Sequence, residues 1–367
     1  MVPSSYLSDI YGKKFIGSIG LVFCIFGFLL LMNASFFSEY YIIWILGIGI
    51  VVFGTGTAMN IGSWFALIHP IIPENIRGRF FGNLRFTWQS VGFIFTLLCI
   101  YILEWHHTLG MYQAIIGVIT FFIALRLIFY QLIPELEKSS TKKGTFRKSF
   151  LKVLTIREYI PFCSYCFLLT LFTGACPQIF NLIEKDVIKL TNVDIVFIGN
   201  LLVVGALAGF FLGGRMVDRL GTKYVFLSCH FSFASILFLF LFRDYFPAEK
   251  IIIVGILTIL FGMVQAASTI AMTSETLLLI PSENKSLATG FWFTLYSGGI
   301  GLSGVLCGQA LDLGLLSDSW TILGQPMSHY DGLLLICGTM ILLMTVTLGL
   351  IPSFIKKTPA RWIPHNQ

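Results

Sequence analysis

Three ionisable side chains lie inside long apolar stretches, where charged groups are unexpected. Glu275, Arg85 and Arg126 occupy such positions, where an uncompensated charge is costly and is by default a functional candidate. We hypothesise that Glu275 and Arg85 either pair as a gate or serve as a proton-linked carboxylate and an anion contact; the alternative is a local pair that only neutralises two charges. Arg126 lies eight residues before Pro134, near enough to the end of its stretch to reach water, so we interpret it as structural.

Polar and aromatic side chains recur at helical spacing along the same stretches. One face holds Gln265 and Glu275, and another holds Arg85, Trp88 and Gln89. Aromatic side chains at such positions pack as often as they bind, so each is a candidate only. The candidates for ligand contact or coupling are Asn60, Trp64, Arg85, Trp88, Gln89, Gln265, Glu275 and Tyr296.

Catalytic, metal and cofactor sites are not indicated. The glycine-rich runs SGGIGLSG and GALAGFFLGG lack the Lys-Ser/Thr ending of a nucleotide loop. All eight cysteines fall in apolar runs, and the pair Cys163 and Cys166 has no second pair or histidine nearby. We therefore expect no enzyme activity, no cofactor and no metal ion.

The elements that position these residues are membrane helices. Hydrophobic residues make up 56% of the 367 residues, charged residues make up 11%, and the mean hydropathy is +0.85, which excludes a soluble globule. A helix that crosses a bilayer needs about 20 apolar residues. Ten runs qualify, near residues 14–33, 41–66, 80–103, 111–133, 159–181, 194–214, 224–243, 251–280, 287–311 and 331–351. The sequence thus predicts an all-α, multi-pass protein in a lipid bilayer.

The basic residues orient these ten spans. Of the 24 Lys and Arg residues, two lie inside spans, and the connecting segments on one side hold only Lys185, Lys189, Arg243 and Lys250. The other eighteen lie on the side of the termini. Since positive charge concentrates in cytoplasmic loops, we expect both termini to be cytoplasmic, in a bacterial inner membrane. The net charge of +6 then records orientation and does not indicate a nucleic-acid partner.

The sequence also contains an internal repeat with an offset of 208 residues. Phe53 and Pro73 have counterparts in Phe261 and Pro281. Shifted by one residue, SYLSDIYGKK from Ser5 matches GRMVDRLGTK from residue 214. We expect two helix bundles, residues 1–133 and 159–367, joined by a basic linker, residues 134–158. Its run FRKSFLKVL either lies on the lipid surface or is a plain solvated linker.

These segments resemble a known family. GGRMVDRLGTK and SYLSDIYGKK are similar to the cytoplasmic signature G-x-L-x-D-R-x-G-R-K of the major facilitator superfamily, and PENIRGRFFG resembles its segment between helices 4 and 5. The pattern departs at Ser5, Ile10 and Thr222. The residues matched by this resemblance, all assigned to gating, are Asp9, Gly12, Lys13, Lys14, Arg77, Gly78, Gly214, Asp218, Arg219, Gly221 and Lys223.

The resemblance implies a fold and a latch. The ten spans correspond to family helices 3–6 and 7–12, so helices 1 and 2 have no counterpart; a misplaced start or truncated gene, a natural ten-helix variant and a degraded gene are the three explanations. In the family, Asp9 would face the N-terminal end of helix 11 and Asp218 that of helix 5, where the helix dipole and free amides favour a carboxylate. The alternative for both is a surface ion pair of little energetic value.

We therefore expect a secondary transporter that moves a small organic solute by alternating access, coupled to a proton or to another solute. The span WQSVGFIFTLLCIYIL lacks the proline that many exporters of the family carry late in helix 5, which favours uptake over efflux. A transport-inactive sensor or scaffold, or a gene remnant, is the alternative. We expect a monomer.

Overall fold

The computed structural model describes residues 1–105, 108–136, 145–156, 158–280, 284–317 and 319–350. Within these ranges ten segments are long and apolar enough to cross a membrane, so the predicted all-α membrane fold is confirmed. The helices are α1 Val2–Tyr11, α2 Lys13–Asn33, α3 Glu39–Ile68, α4 Arg77–Trp105, α5 Leu109–Leu132, α6 Phe146–Leu154, α7 Tyr159–Thr173, α8 Cys176–Leu182, α9 Asn192–Leu220, α10 Thr222–Leu241, α11 Lys250–Leu279, α12 Lys285–Asp312 and α13 His329–Leu350.

One span is interrupted. The helices α7 and α8, with a π-helical turn Ile183–Val187, form a single span, Tyr159–Val187. The break precedes α8, which has Pro177 in its first turn, where the missing N–H of proline costs no hydrogen bond. The span is longer than the run 159–181 that hydropathy predicts, because its last turn carries charged residues.

The chain forms two compact units. Unit 1 comprises Met1–Pro73, Gly92–Ile156 and Ile280–Thr294; unit 2 comprises Glu74–Val91, Arg157–Leu279 and the chain from Leu295 onward. These units differ from the predicted bundles 1–133 and 159–367. Unit 2 contains the first turns of α4, and the rest of α4 belongs to unit 1. Unit 1 contains the first turns of α12, and the rest of α12 belongs to unit 2.

Glycines bring the helices of unit 1 together. A Cβ atom at Gly20 would lie 2.6 Å from the carbonyl oxygen of Gly56, and one at Gly27 would lie 2.8 Å from that of Gly49. The axes of α2 and α3 therefore approach as closely as backbones allow, which is how membrane helices without a hydrophobic driving force associate.

In unit 2, α9 and α11 pack in the same way, through glycines spaced four residues apart. Cβ atoms at Gly205 and Gly209 would lie 2.0 and 2.1 Å from the carbonyl oxygens of Ile259 and Met263. The run GALAGFFLGG is thus a helix-packing surface, as expected for a glycine-rich run inside an apolar span.

A buried ion pair and a hairpin occupy one end of unit 2. Arg243, in the 3₁₀ turn after α10, donates to Asp331 of α13 at 2.6 and 3.3 Å, and neither side chain is more than 1% exposed. Strands β1 Trp320–Ile322 and β2 Gln325–Met327 pair antiparallel. Leu323 and Gly324 turn between them with φ of 49° and 83°, as a two-residue hairpin loop requires.

The basic run of the predicted linker forms the helix α6. Its Phe146 ring lies 5.2 Å from that of Tyr6, and Phe150 lies 5.8 Å from Phe291, all within unit 1. Arg147 and Lys148 are exposed. The run is therefore an amphipathic helix that packs through its aromatic side chains; residues 137–144 and 157 of the linker lie outside the described residues.

Candidate functional site

The candidate site includes two glycine turns, one in each repeat. Gly12 and Gly221 follow α1 and α9 with φ of 106° and 82°, a conformation that a residue with a Cβ rarely adopts. Each ends one helix and begins the next within two residues. The preceding carboxylates, Asp9 and Asp218, are held in equivalent places three residues earlier.

Asp218 caps the first turn of α4. Its Oδ1 accepts from the backbone N–H of Gly78 at 2.8 Å, and its Oδ2 accepts from the N–H of Arg79 at 2.8 Å and from the Arg79 guanidinium at 3.1 Å. The carboxylate is 8% exposed, whereas the Arg79 side chain is 52% exposed. The two amides, which have no partner inside their own helix, are the principal contacts.

Asp9 caps α12 in the same way. Its two oxygens accept from the N–H groups of Ser286 and Leu287, each at 2.9 Å. These residues lie 208 positions after Gly78 and Arg79, so the two contacts are repeat equivalents. Burial raises the pKa of Asp9 although both amide bonds and Lys13 act to lower it.

Small residues make both contacts possible. A Cβ at Gly78 would lie 2.5 Å from the carbonyl oxygen of Gly214, and one at Gly82 would lie 2.5 Å from that of Phe210. In the first repeat Ser5 replaces Gly214, and its hydroxyl oxygen would lie 2.2 Å from a Cβ at Gly290. The departure of Ser5 from the signature is thus accommodated by a glycine in the facing helix.

The basic residues of the signature segments have different surroundings. Lys13 is 8% exposed and Arg77 is 6% exposed, and the backbone N–H of Lys13 donates to Glu135 at 2.8 Å. Arg219 is exposed, and Lys14 and Lys223 are partly exposed. The resemblance groups these residues with the aspartates, which accept from the first amides of α4 and α12.

Glu275 and Arg85 do not form an ion pair with each other. The carboxylate of Glu275, which is 2% exposed, accepts from the Thr222 hydroxyl. Arg85 donates to the Thr273 hydroxyl at 3.3 Å and lies 6.0 Å from the Phe210 ring. All of these residues belong to unit 2. The hypothesis that Glu275 and Arg85 pair directly is not supported, because a hydroxyl group engages each of them instead.

Asn60 has a structural partner that the sequence interpretation did not foresee. Its Oδ1 accepts from Arg126 at 2.7 Å and its Nδ2 donates to the carbonyl of Gly17 at 3.2 Å. The side chain is 2% exposed and ties α2, α3 and α5 together within unit 1. Arg126 donates this bond to Asn60 and its side chain is exposed, so its interpretation as a structural residue stays a prediction.

The tryptophan candidates also differ. Trp64 packs against the buried cluster of Leu21, Leu67 and Tyr130 in unit 1, which is a packing role. Trp88 is 72% exposed, and Gln89, next to it, is partly buried.

Gln265 and Tyr296 do come together, around a cavity of ≈ 60 Å³ inside unit 2. Thr170 and Ser268 line the same cavity, and the sequence analysis selected neither. The Thr170 hydroxyl donates to the Tyr296 carbonyl at 3.2 Å, among other carbonyls. The signal available in sequence was the repeat, because position 268 is the counterpart of Asn60 at the 208-residue offset.

A second overlooked group is Glu184, in the π-helical turn. It is 0% exposed, and neither carboxylate oxygen has a hydrogen-bond partner in the described part of the chain. Hydropathy predicts that this span ends at residue 181 and that Glu184 lies in a loop, whereas the span in the structure extends to Val187. No group of metal-ligating side chains occurs among the described residues.

The fold and the site can now be compared with known proteins. No curated protein matches the chain in sequence. Among solved structures, it is similar to the E. coli fucose:proton symporter FucP, with a TM-score of 0.70 at 14% identity over 95% of this chain and 86% of that one. It is also similar to the human organic anion transporter MFSD10 (TETRAN), with a TM-score of 0.72 at 13% identity over 94% and 79%.

A third solved structure, the proton:xylose symporter XylE, gives a TM-score of 0.69 at 14% identity over 94% of this chain and 81% of that one. At such identities these likenesses establish the fold. The family is established by sequence, since the pattern of the superfamily matches residues 1–304. With its paired signature turns and this match over most of its length, the chain belongs to the Major Facilitator Superfamily, a family of transporters rather than enzymes.

Proposed function

We propose that the protein moves a small organic solute across the membrane by alternating access, with Asp9 and Asp218 as latches at the cytoplasmic ends of α12 and α4. The observation that supports this is the repetition of one contact: in each repeat an aspartate accepts from the second and third amides of a helix of the other repeat. Such a contact closes one side of the transporter, and its loss opens that side.

Transport in proteoliposomes tests the proposal. We expect at least one labelled solute from a panel of neutral sugars, carboxylates and amines to accumulate. Asp9→Asn and Asp218→Asn should each lower the rate about tenfold, because a neutral amide loses a charge-assisted bond to the helix terminus. Asp312→Asn, at an exposed position of α12, is the control. Failure of every solute, or wild-type rates in both latch variants, would exclude the proposal.

We further propose proton-coupled uptake. The span from Trp88 to Leu103 lacks proline, and two of the similar structures bear the names of proton symporters. Two buried carboxylates, Glu275 and Glu184, are candidates for the proton site, because a carboxylate without a cationic partner is least costly in a membrane when it is protonated.

Exchange measurements separate coupling from transport. In Glu275→Gln or Glu184→Gln, accumulation driven by a pH gradient should disappear while solute exchange at equal concentrations persists. Glu249→Gln, at an exposed position before α11, should retain both. If both buried variants still accumulate solute in response to the gradient, neither carboxylate binds the coupling proton.

Orientation belongs to the same proposal. We propose that both termini lie in the cytoplasm and that the protein lies in a bacterial inner membrane; the distribution of Lys and Arg supports the cytoplasmic termini. A protease-cleavable tag at either terminus should be cut in inverted vesicles and protected in spheroplasts. The opposite protection pattern would place the latches on the outer side.

A further inference from the structure

The cavity in unit 2 is lined by a buried hydroxyl that has no hydrogen-bond partner among the described residues. Ser268 of α11 lines it; the side chain is 1% exposed, and its hydroxyl has no hydrogen-bond partner in the described part of the chain. Gln265, one turn earlier, also lines it and is partly buried. A buried hydroxyl without a partner is costly in a folded protein, so Ser268 marks a place suited to a ligand.

We infer that this cavity binds the hydroxyl-bearing edge of an uncharged, polyhydroxylated solute. The inference rests on the proposed function, because it names the class of solute that the transporter carries. The cavity is formed within unit 2 alone, by side chains of α7, α10, α11 and α12, so its chemistry depends on one compact unit.

The lining offers both donors and acceptors. Thr173 donates to the Leu169 carbonyl at 2.8 Å and Thr269 to the Gln265 carbonyl at 2.7 Å, so each keeps its oxygen lone pairs for a ligand. Ser268 and the Gln265 amide supply donors. A solute hydroxyl, which both donates and accepts, matches this mixture better than a carboxylate, which only accepts, or an ammonium group, which only donates.

The charge of the cavity lining also favours an uncharged solute. No Asp, Glu, Lys, Arg or His is among the described residues that line the cavity. The cation Arg85 is not one of them, and its guanidinium donates to Thr273 instead. A charged solute would lose its hydration without gaining a counter-charge, which costs far more than burying a hydrogen-bonded hydroxyl.

The other repeat provides an internal contrast. Asn60, the counterpart of Ser268, is satisfied on both sides by Arg126 and Gly17. The same position thus serves packing in unit 1, whereas in unit 2 a hydroxyl is left free beside a cavity. Two aromatic residues, Phe233 and Tyr296, are also among those that line the cavity, and aromatic side chains suit the apolar C–H faces of a ring solute.

Size limits what enters. A volume of ≈ 60 Å³ is several times the about 10–15 Å³ that one water molecule needs. The cavity is therefore small, and we assign it to one polar edge of the solute. Removal of the hydroxyl on that edge should therefore weaken binding more than removal of a hydroxyl elsewhere.

Calorimetric binding to the purified full-length protein tests the class of solute. The probes are D-glucose, D-xylose and myo-inositol, with D-glucuronate and D-glucosamine as charged counterparts of similar size. We expect at least one neutral probe to bind and its charged counterpart to bind at least about tenfold more weakly. If no neutral probe binds, or if D-glucuronate binds best, the inference is overturned and the latter result would favour an anion contact at Arg85.

Two serines of α11 form a matched pair for testing the cavity itself. Ser268 and Ser274 are 1% and 3% exposed, and both hydroxyls are unbonded within the described residues, but only Ser268 lines the cavity. Ser268→Ala should weaken binding of the neutral probe about tenfold with no loss of thermal stability, and Ser274→Ala should leave binding unchanged. Equal affinities in the two variants would contradict the inference.

Binding and transport results separate the two proposals. Neutral-probe binding that depends on Ser268 but is not accompanied by transport would support the cavity and exclude carriage of that solute. Transport of a charged solute, with no effect of Ser268→Ala, would support the proposed function and overturn the cavity inference.

Discussion

At Gly78 the backbone of α4 approaches α9 so closely that a single methyl group has no room. Its Cβ would lie 2.5 Å from the Gly214 carbonyl oxygen and 2.6 Å from Asp218 Oδ1. Because the nearest atom is backbone, it cannot move aside as a flexible side chain does. We predict that Gly78→Ala separates the two helices and lowers the free energy of unfolding by about 1–3 kcal/mol, measured by unfolding in detergent.

Gly92 provides the control for this change. It lies in the same helix, and apart from its own helical backbone no atom of the described residues lies within 4 Å of an added Cβ. Gly92→Ala should leave stability unchanged or raise it slightly, since alanine favours a helix over glycine. An equal loss in the two variants would show that helix propensity, and not the approach to α9, decides the result.

Asn60 is expected to matter for stability and not for ligand binding. Asn60→Ala removes the acceptor of Arg126 and the donor to Gly17, so we predict a loss of about 1–2 kcal/mol in unfolding free energy. Asn33→Ala removes only a bond to its own helix and should cost less. If Asn60→Ala instead changes solute affinity at unchanged stability, the packing role is wrong.

The two aspartates can be identified from the sequence, whereas Ser268 and the partner of Glu275 cannot. Asp9 and Asp218 stand out because a resemblance fixes both their type and their spacing to a glycine. Ser268 does not, because a serine inside an apolar helix usually donates to the carbonyl four residues earlier, and only the packed structure shows that this one does not. The Thr222–Glu275 contact likewise depends on how closely α10 and α11 pack, which spacing along one helix cannot predict.

At the scale of elements, the buried pair of Arg243 and Asp331 joins the end of α10 to the start of α13. Arg243→Met alone leaves a buried carboxylate without its charge partner, so we predict a loss of about 3–5 kcal/mol. The double variant with Asp331→Leu should recover most of that loss, because both charges are gone. Unfolding of both variants measures the coupling.

The pair of Lys250 and Asp244 is the matched control, since its lysine is 52% exposed. Lys250→Met should change the unfolding free energy by about 1 kcal/mol or less. A small effect at Arg243 as well, or a double variant no more stable than the single one, would mean that the buried pair contributes little to holding these elements together.

Helices are the elements that hydropathy predicts well, because a bilayer imposes length and composition on each span at once. The ten spans were therefore identified, with errors at their ends. The turn Ile183–Val187 was missed because its charged residues resemble a loop. The helix α6 was left undecided because its stabilising rings, Tyr6 and Phe291, are distant in sequence.

At the scale of the whole molecule, the sequence repeat and the compact units divide the chain differently. The repeat assigns α4 to the first bundle and α12 to the second, whereas their first turns belong to unit 2 and unit 1 respectively. The first turns of α4 and α12 are assigned in this way because they make contacts at the latches, such as Asp218 with Gly78 and Asp9 with Ser286. Sequence periodicity could not predict it, because it reports internal similarity and not which segments touch.

Amide hydrogen exchange can test whether the two latches open together. The amides of residues 78 and 79 and of residues 286 and 287 are the donors to Asp218 and Asp9, and each lies in a first helical turn without an intrahelical acceptor. Their hydrogen exchange therefore reports latch opening directly. If both latches open in one conformational change, Asp9→Asn should accelerate exchange at residues 78 and 79 as well as at residues 286 and 287.

The same variant distinguishes concerted opening from local fraying. Since both latches must break in the concerted case, weakening one shifts a single equilibrium that all four amides share, and the double variant with Asp218→Asn should accelerate exchange by the product of the single effects, as expected for distant sites. Asp312→Asn should alter none of the four amides. Acceleration confined to residues 286 and 287 would show that each latch opens alone, and alternating access would then need a different coupling element.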